Sequence, residues 1–197
     1  MLDLILATHN AAKTREFVQI LGSRFALADL TKAGNVATVE ETGATFEENA
    51  VLKAVAASRA VAALVVADDS GLEVAALSGA PGVRSARYAG ENATDEENVA
   101  KLLAELGTVE NRAARFCCAI AVASQGQIGG IFRSCVTGVI AAAPRGDHGF
   151  GYDPVFIPDG SIQTFGELGE EAKNRLSHRA LAVAQLREYL DRLTSRS

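Results

Sequence analysis

VVADDSGLEVAALSGAPGVRSARYAG, Val65–Gly90, is the stretch on which the reading of the chain turns. Val65, Val66 and Ala67 run directly into Asp68 and Asp69, and then glycine, proline and arginine take over. A near-continuous apolar run suits a strand covered on both faces. Two adjacent carboxylates at its end repel each other and lose hydration, so a cation is expected beside them. Successive strand residues face opposite sides. If strand geometry persists through the pair, only one aspartate faces a given cleft, where it would ligate a metal. The other would brace the turn. A plainer reading makes Asp68-Asp69-Ser70-Gly71 a polar strand-to-loop turn.

Working outward, the elements alternate. LDLILA is a first buried strand, and AAKTREFVQILG a helix with Phe17, Ile20 and Leu21 at helical spacing and Gly22 as its stop. FALADL is a second strand. TFEENAVLKAVAASRAVAA opens on Thr45 and Glu48 in a capping-box pattern and continues as an alanine-rich helix through Ala63. LVVA is the strand that ends at Asp68, and TDEENVAKLLAELG is a helix boxed by Thr94 and Glu97. ARFCCAIAVAS and GQIGGIFRSCVTGVIAA are long strands expected to form a hairpin near Ser124–Gln127. PVFIP is a short strand, and LSHRALAVAQLREYLDRL a final helix with Leu176, Ala180, Val183, Leu190 and Leu193 on one stripe. The order predicts an α/β fold: a long central mixed sheet flanked by helices, one domain over residues 1–197 with two lobes and a cleft between them.

The 197 residues are 48% hydrophobic and carry a net charge of -5, which suits a globular chain with a substantial core and argues against a general nucleic-acid binder without excluding a nucleotide site. No apolar run is long enough to span a membrane, and MLDLILATHN lacks the basic start of a secretory signal. A cytoplasmic protein is expected. Cys117, Cys118 and Cys135 lack zinc-site spacing and read as small buried hydrophobes in a reducing compartment.

Five clusters carry candidate chemistry. In ATHNAAKTREF a strand passes into a helix, whose N-terminal amides favour an anion. Thr8 and Asn10 add donors, and Lys13 reaches a phosphate as a point charge. An ordinary N-cap with a solvated lysine reads the same residues. The aspartate pair is the second cluster; magnesium suits it, held by one or two carboxylates plus waters and phosphates. Third, Glu40 and Glu41 precede Lys53, which either snorkels or points into the cleft. Fourth, in HGFGYDPVF, Gly149 and Gly151 let the backbone pass close to a ligand while Phe150 offers a stacking face and Asp153 an acceptor. A glycine turn with a core aromatic is the alternative. Fifth, KNRLSHR gathers Lys173, His178 and Arg179 beside Ser177; a basic first turn of an amphipathic helix would look the same.

Taken together and in order, ATHNAAKTREF, EETGATFEENAVLKA, ADDSGLEVAALSGAPGVRSARYAG, GFGYDPVF and KNRLSHRALA resemble the inosine/xanthosine triphosphate pyrophosphatase family, the Ham1-like or RdgB-like enzymes, over nearly the full length. The resemblance implies a homodimer that hydrolyses deaminated purine nucleoside triphosphates (ITP, dITP, XTP) to the monophosphate and pyrophosphate with Mg2+. By position it implies that Thr8, His9, Asn10, Ala11, Ala12 and Lys13 bind the triphosphate. Glu40, with Glu41, and Asp69 would hold the metal, Asp69 also accepting a proton. Lys53 would be a second phosphate-side lysine, and Ser70 would touch substrate. Phe150, Gly151, Tyr152 and Asp153 would frame the base, with Lys173, His178 and Arg179 completing its pocket. His9 stands where the family usually has glycine, which narrows the backbone's options for left-handed geometry, although histidine tolerates φ > 0 better than most residues. A Maf-like pyrimidine nucleotide pyrophosphatase and a non-catalytic nucleotide-binding module are the rival readings.

Overall fold

The computed structural model describes residues 2–30 and 39–195. Strands β1 (Leu2–Leu6), β2 (Phe25–Asp29), β3 (Leu64–Val74), β4 (Ala113–Ser124), β5 (Gln127–Ile140) and β6 (Phe156–Pro158) form one sheet in the order β2-β1-β3-β4-β5-β6. β1 runs parallel to β2 and to β3, while β5 and β6 are antiparallel, so the sheet is mixed. The helices are α1 (Ala11–Leu21), α2 (Phe46–Ala60), α3 (Asp95–Leu106), α4 (Glu170–Leu176) and α5 (His178–Thr194). The fold is α/β, as expected.

The chain divides into two compact units. Unit 1 comprises Met1–Asp69, Cys118–Ser134 and Arg179–Ser197; unit 2 comprises Ser70–Cys117 and Cys135–His178. Unit 1 has its own core, in which Leu4, Leu6 and Val66 of the strands meet Phe17 and Leu21 of α1 and Val183, Leu186 and Leu190 of α5. The core of unit 2 joins Leu72 and Val74, Leu102 and Leu106 of α3, and the aromatic group Phe116, Phe156 and Phe165.

Several local expectations hold for stated physical reasons. The plainer N-cap reading of ATHNAAKTREF holds at Asn10: its side chain, expected to add a donor, caps α1 by accepting through Oδ1 from the Ala12 and Lys13 amides at 2.9 and 3.2 Å. Thr94 and Glu97 make a reciprocal capping box on α3. At α2 the Thr45 hydroxyl accepts from Glu48, but the Glu48 carboxylate reaches Ala44 instead of Thr45. The β4–β5 hairpin closes on Gln125 and Gly126, both with positive φ (50° and 79°), the signature of a two-residue primed turn.

Other expectations are corrected. β3 does not stop at Asp68; it continues through Asp69, Ser70 and Gly71 to Val74. α2 ends at Ala60, three residues early, because Val61 is extended. The expected final helix is two: Ser177, at φ -72° and ψ 155°, separates α4 from α5. Leu176 therefore leaves the apolar stripe and is exposed, as is Leu193, while Ala182 and Leu186 join Val183 and Leu190 inside. Cys117 and Cys135 form a disulfide, whereas only Cys118 is a free buried thiol. The hairpin brings together on adjacent strands two cysteines that lie 18 residues apart in sequence. Burial pushes the Cys118 thiol up to about 12, which leaves it protonated and inert at neutral pH.

Candidate active site

In unit 1, β1 leads through α1 to β2 on one side, and β3 lies on the other. Connections that leave a parallel strand in opposite directions open a crevice at the carboxyl ends of the strands, where α/β proteins bind ligands. The candidate residues of unit 1 lie at that end. The Ala7 amide donates to the Val66 carbonyl at 2.7 Å, tying the end of β1 to β3 just before the aspartate pair.

Because β3 stays a strand through the pair, Asp68 and Asp69 face different partners. Asp68 is buried and receives the Lys13 ammonium at 3.0 Å and the Arg179 guanidinium at 3.3 Å. Arg179 is itself 1% exposed and also pairs with Glu16 of α1. Burial alone would raise the Asp68 pKa; Lys13 and Arg179 overwhelm that effect and hold the carboxyl far below the usual carboxylate range. Burial likewise opposes the Arg179 charge, and the two carboxylates outweigh it.

Asp69 takes the other side. Its Oδ1 lies 3.3 Å from the Lys53 ammonium, and its Oδ2 accepts from the Asn49 amide at 3.1 Å. Lys53 also pairs with Glu41 at 2.8 Å. Here burial prevails: it holds the Asp69 carboxyl above its ordinary pKa although Lys53 and Lys13 pull it down. For Lys53, burial would lower the pKa, but Asp69, Asp68 and Glu41 together raise it. The cluster is thus two ammoniums meeting three carboxylates. Glu40 is exposed, and the carboxylate that joins Lys53 belongs to Glu41. Among the described residues no three His, Cys, Asp or Glu side chains are grouped to hold a metal. Asp69 and Glu41 nevertheless converge on one cation, the Lys53 ammonium.

The remaining phosphate-side candidates lie in the turn into α1. Thr8 Oγ1 accepts from the Asn10 amide at 3.1 Å. His9 is exposed and is not among the residues with positive φ, so a histidine there costs no strain. Ala11 and Ala12 open α1, and Ser70 continues β3 as a half-buried residue of unit 2.

Unit 2 holds the other candidates. Asp153 is buried and binds the Lys173 ammonium at 2.6 Å and the Phe150 amide at 2.8 Å. Lys173 lies 4.8 Å from the centroid of the Phe150 ring, a cation–π distance. The Gly151 amide donates to Asp95 of α3, and the Tyr152 hydroxyl to the Ser85 carbonyl. His178 is buried and stacks on Phe116 at 4.6 Å. His178 and Arg179 adjoin in sequence but belong to different units.

Gly149 holds this group together. It has φ 79°, and a Cβ there would lie 2.0 Å from the Asp153 carboxylate. Gly151 has φ 61° with nothing within 4 Å. Gly151→Ala is expected to cost about 1–2 kcal/mol, the penalty of left-handed backbone. Gly149→Ala adds displacement of a buried ion pair and is expected to cost at least about 3 kcal/mol. Urea unfolding of both variants checks the difference.

Three contributors were missed by sequence reasoning. Asn49 could have been found as a buried-face asparagine in an alanine-rich helix, where it lowers helix propensity. Glu16 stands one turn beyond Lys13, and Asp95 lies in the first turn of α3.

Residues 4–189 match the model of the Ham1 family. A dITP/XTP pyrophosphatase of Bacillus subtilis (strain 168) is 47% identical over 194 residues, covering 97% of this chain and 98% of that one. A dITP/XTP pyrophosphatase of Geobacillus kaustophilus (strain HTA426) is 52% identical, covering 95% and 94%. The solved Ham1 protein of Staphylococcus aureus superposes with a TM-score of 0.86 at 42% identity, over 96% of this chain and 98% of that one. The HAM1 protein of Coxiella burnetii gives 0.89 at 41% identity, over 98% and 100%.

Proposed function

The chain belongs to the Ham1 family, and from that premise we propose that it hydrolyses the deaminated purine nucleoside triphosphates ITP, dITP and XTP to the monophosphate and pyrophosphate. The observation that carries the reading is the meeting of Lys13 and Lys53 with Asp68, Asp69 and Glu41 at the carboxyl ends of β1 and β3. Such a set binds a polyanion with its counter-cation and retains a carboxylate for proton transfer.

The donors fit Mg2+. Two carboxylates already converge on a cation, and this hard ion uses one or two carboxylates while keeping waters and phosphate oxygens as its other ligands. Asp69 and Glu41 would hold it, with exposed Glu40 beside them. Bound there, Mg2+ supplies charge neutralisation for the phosphate oxygens and the departing pyrophosphate. Lys13 presents its ammonium at the first turn of α1, where substrate phosphate competes with Asp68 for it. Lys53 stabilises charge on the same side. Asp69 is the carboxylate placed to take the proton of the attacking water.

Base selection is assigned to unit 2. Phe150 offers the stacking face, and Lys173 and His178 the donors for a six-oxo group. Adenine's six-amino group would leave those donors unpaired, at about 1–3 kcal/mol or roughly 5–150-fold per group. Arg179 was expected beside the base; the partners of its guanidinium favour a bracing role on Asp68. The same reading makes the enzyme a Mg2+-dependent cytoplasmic homodimer, supported by its family membership. No helix among the described residues is long and apolar enough to cross a membrane.

Product identity tests the function. With Mg2+, ITP and XTP are expected to release pyrophosphate at least about ten times faster than ATP or dTTP, the scale of one lost base contact. Orthophosphate as the direct product, or dTTP as the preferred substrate, overturns the proposal. No turnover of any of the four makes the chain a binding module.

A further inference from the structure

Asn49 is fully buried in α2, although asparagine favours helix ends and turns over helix interiors. Both ends of its amide are engaged. Its Oδ1 accepts from the Gly43 amide at 2.8 Å, and its Nδ2 donates to Asp69 Oδ2 at 3.1 Å. The Gly43 N–H can only donate, so the amide oxygen must face it and the NH2 must face Asp69. Turning the amide round would set donor against donor and acceptor against acceptor. Gly43 keeps this contact close: a Cβ there would lie 2.7 Å from Asn49 Oδ1 and 2.7 Å from Glu48 Cβ.

The consequence falls on Asp69. A carboxylate rotates broadly about its last torsion. Asn49 engages Oδ2, which leaves Oδ1 directed at Lys53 at 3.3 Å. The segment that contains Gly43 also carries Glu41, the second carboxylate on Lys53. One buried amide therefore fixes the rotation of Asp69 and anchors the acidic segment opposite it.

We propose that Asn49 is a positioning residue for hydrolysis, dividing the two oxygens of Asp69 into one held by Asn49 and one turned toward Lys53, on the side assigned to the reaction. This rests on the role of Asp69 proposed above. Asn49→Asp separates the two bonds, because it still accepts from Gly43 but can no longer donate to Asp69. Asn49→Ala loses both bonds, and Gly43→Ala pushes the amide away without touching residue 49.

Each of the three variants is expected to lower kcat for ITP roughly 10–100-fold, the usual effect of losing the partner of a reactive ligand, with KM within about 3-fold. A second readout uses protein without metal or substrate. There Asn49→Asp sets two acceptors face to face and lowers the melting temperature. Adding Asp69→Asn restores one donor and one acceptor and recovers the loss, while turnover stays absent. Unchanged turnover in Asn49→Asp, or melting shifts that add instead of cancelling, overturns the proposal. If Asp69→Asn inactivates the enzyme while Asn49→Asp does not, the assignment of Asn49 alone falls. An active Asp69→Asn enzyme overturns the Asp69 reading and the Asn49 assignment with it.

Discussion

Asp69→Asn is expected to lower kcat for ITP by roughly 10²–10⁴-fold, the span of a lost acid–base group, and to leave the fold intact. The substitution keeps the shape and keeps an acceptor for Asn49, while Lys53 retains Glu41. It also removes a charge that the folded protein disfavours. The Asp69 pKa is raised by burial, so the native state binds its proton more tightly than the unfolded chain does. Its contribution to stability is therefore present at low pH and declines as pH rises from the ordinary carboxylate value through the native one. At neutral pH the amide should lower the melting temperature by no more than about 3 °C, which corresponds to roughly 1 kcal/mol in a chain of this size. Calorimetry beside a pyrophosphate-release assay checks both parts. Parental turnover would remove Asp69 from the chemistry.

The neighbouring residue is expected to behave in the opposite way. Asp68→Asn should destabilise the protein by about 3–5 kcal/mol, because it takes the carboxylate from half-buried Lys13 and one of two carboxylates from buried Arg179. In melting temperature that is about 6–20 °C. The pH dependence follows from the sign of the shift. Asp68 has its pKa depressed in the native state, so its contribution is complete above the ordinary carboxylate pKa and is lost as pH falls below about 4 toward the native value. The gap between parent and variant should be constant from pH 5 to 7, on the order of the full loss, and close in acid. Urea midpoints across that range give the measurement. A gap that does not change with pH would show that packing, and not the ion pairs, accounts for it.

The contrast between adjacent aspartates was partly legible in the sequence. Strand alternation predicts that Asp68 and Asp69 face different ways, and the strand's continuation to Val74 makes that hold. The identity of their partners was not legible, because Lys13, Arg179 and Asn49 reach them from three separate helices. Periodicity places each residue on its own helix but not opposite a strand far away in sequence. The elements were read well where local chemistry decides them, as at Asn10, at the Thr94 box and at the Gln125–Gly126 turn. They were misread where tertiary context decides. Nothing in LSHRALA announces the break at Ser177, and the Cys117–Cys135 bond depends on pairing across a hairpin. Arg179 shows the same limit: its motif suggested a base, while its position in α5 commits the guanidinium to Glu16 and Asp68.

Unit 1 is assembled from three stretches of chain, the last beginning at Arg179. Its core needs Val183, Leu186 and Leu190, and its aspartate needs the guanidinium of that same stretch. During synthesis, therefore, the nascent polypeptide carries Lys13, Lys53 and both carboxylates long before it can hold them in place. Competence to act on a nucleotide arrives late, once α5 has been made and has joined the earlier stretches of unit 1.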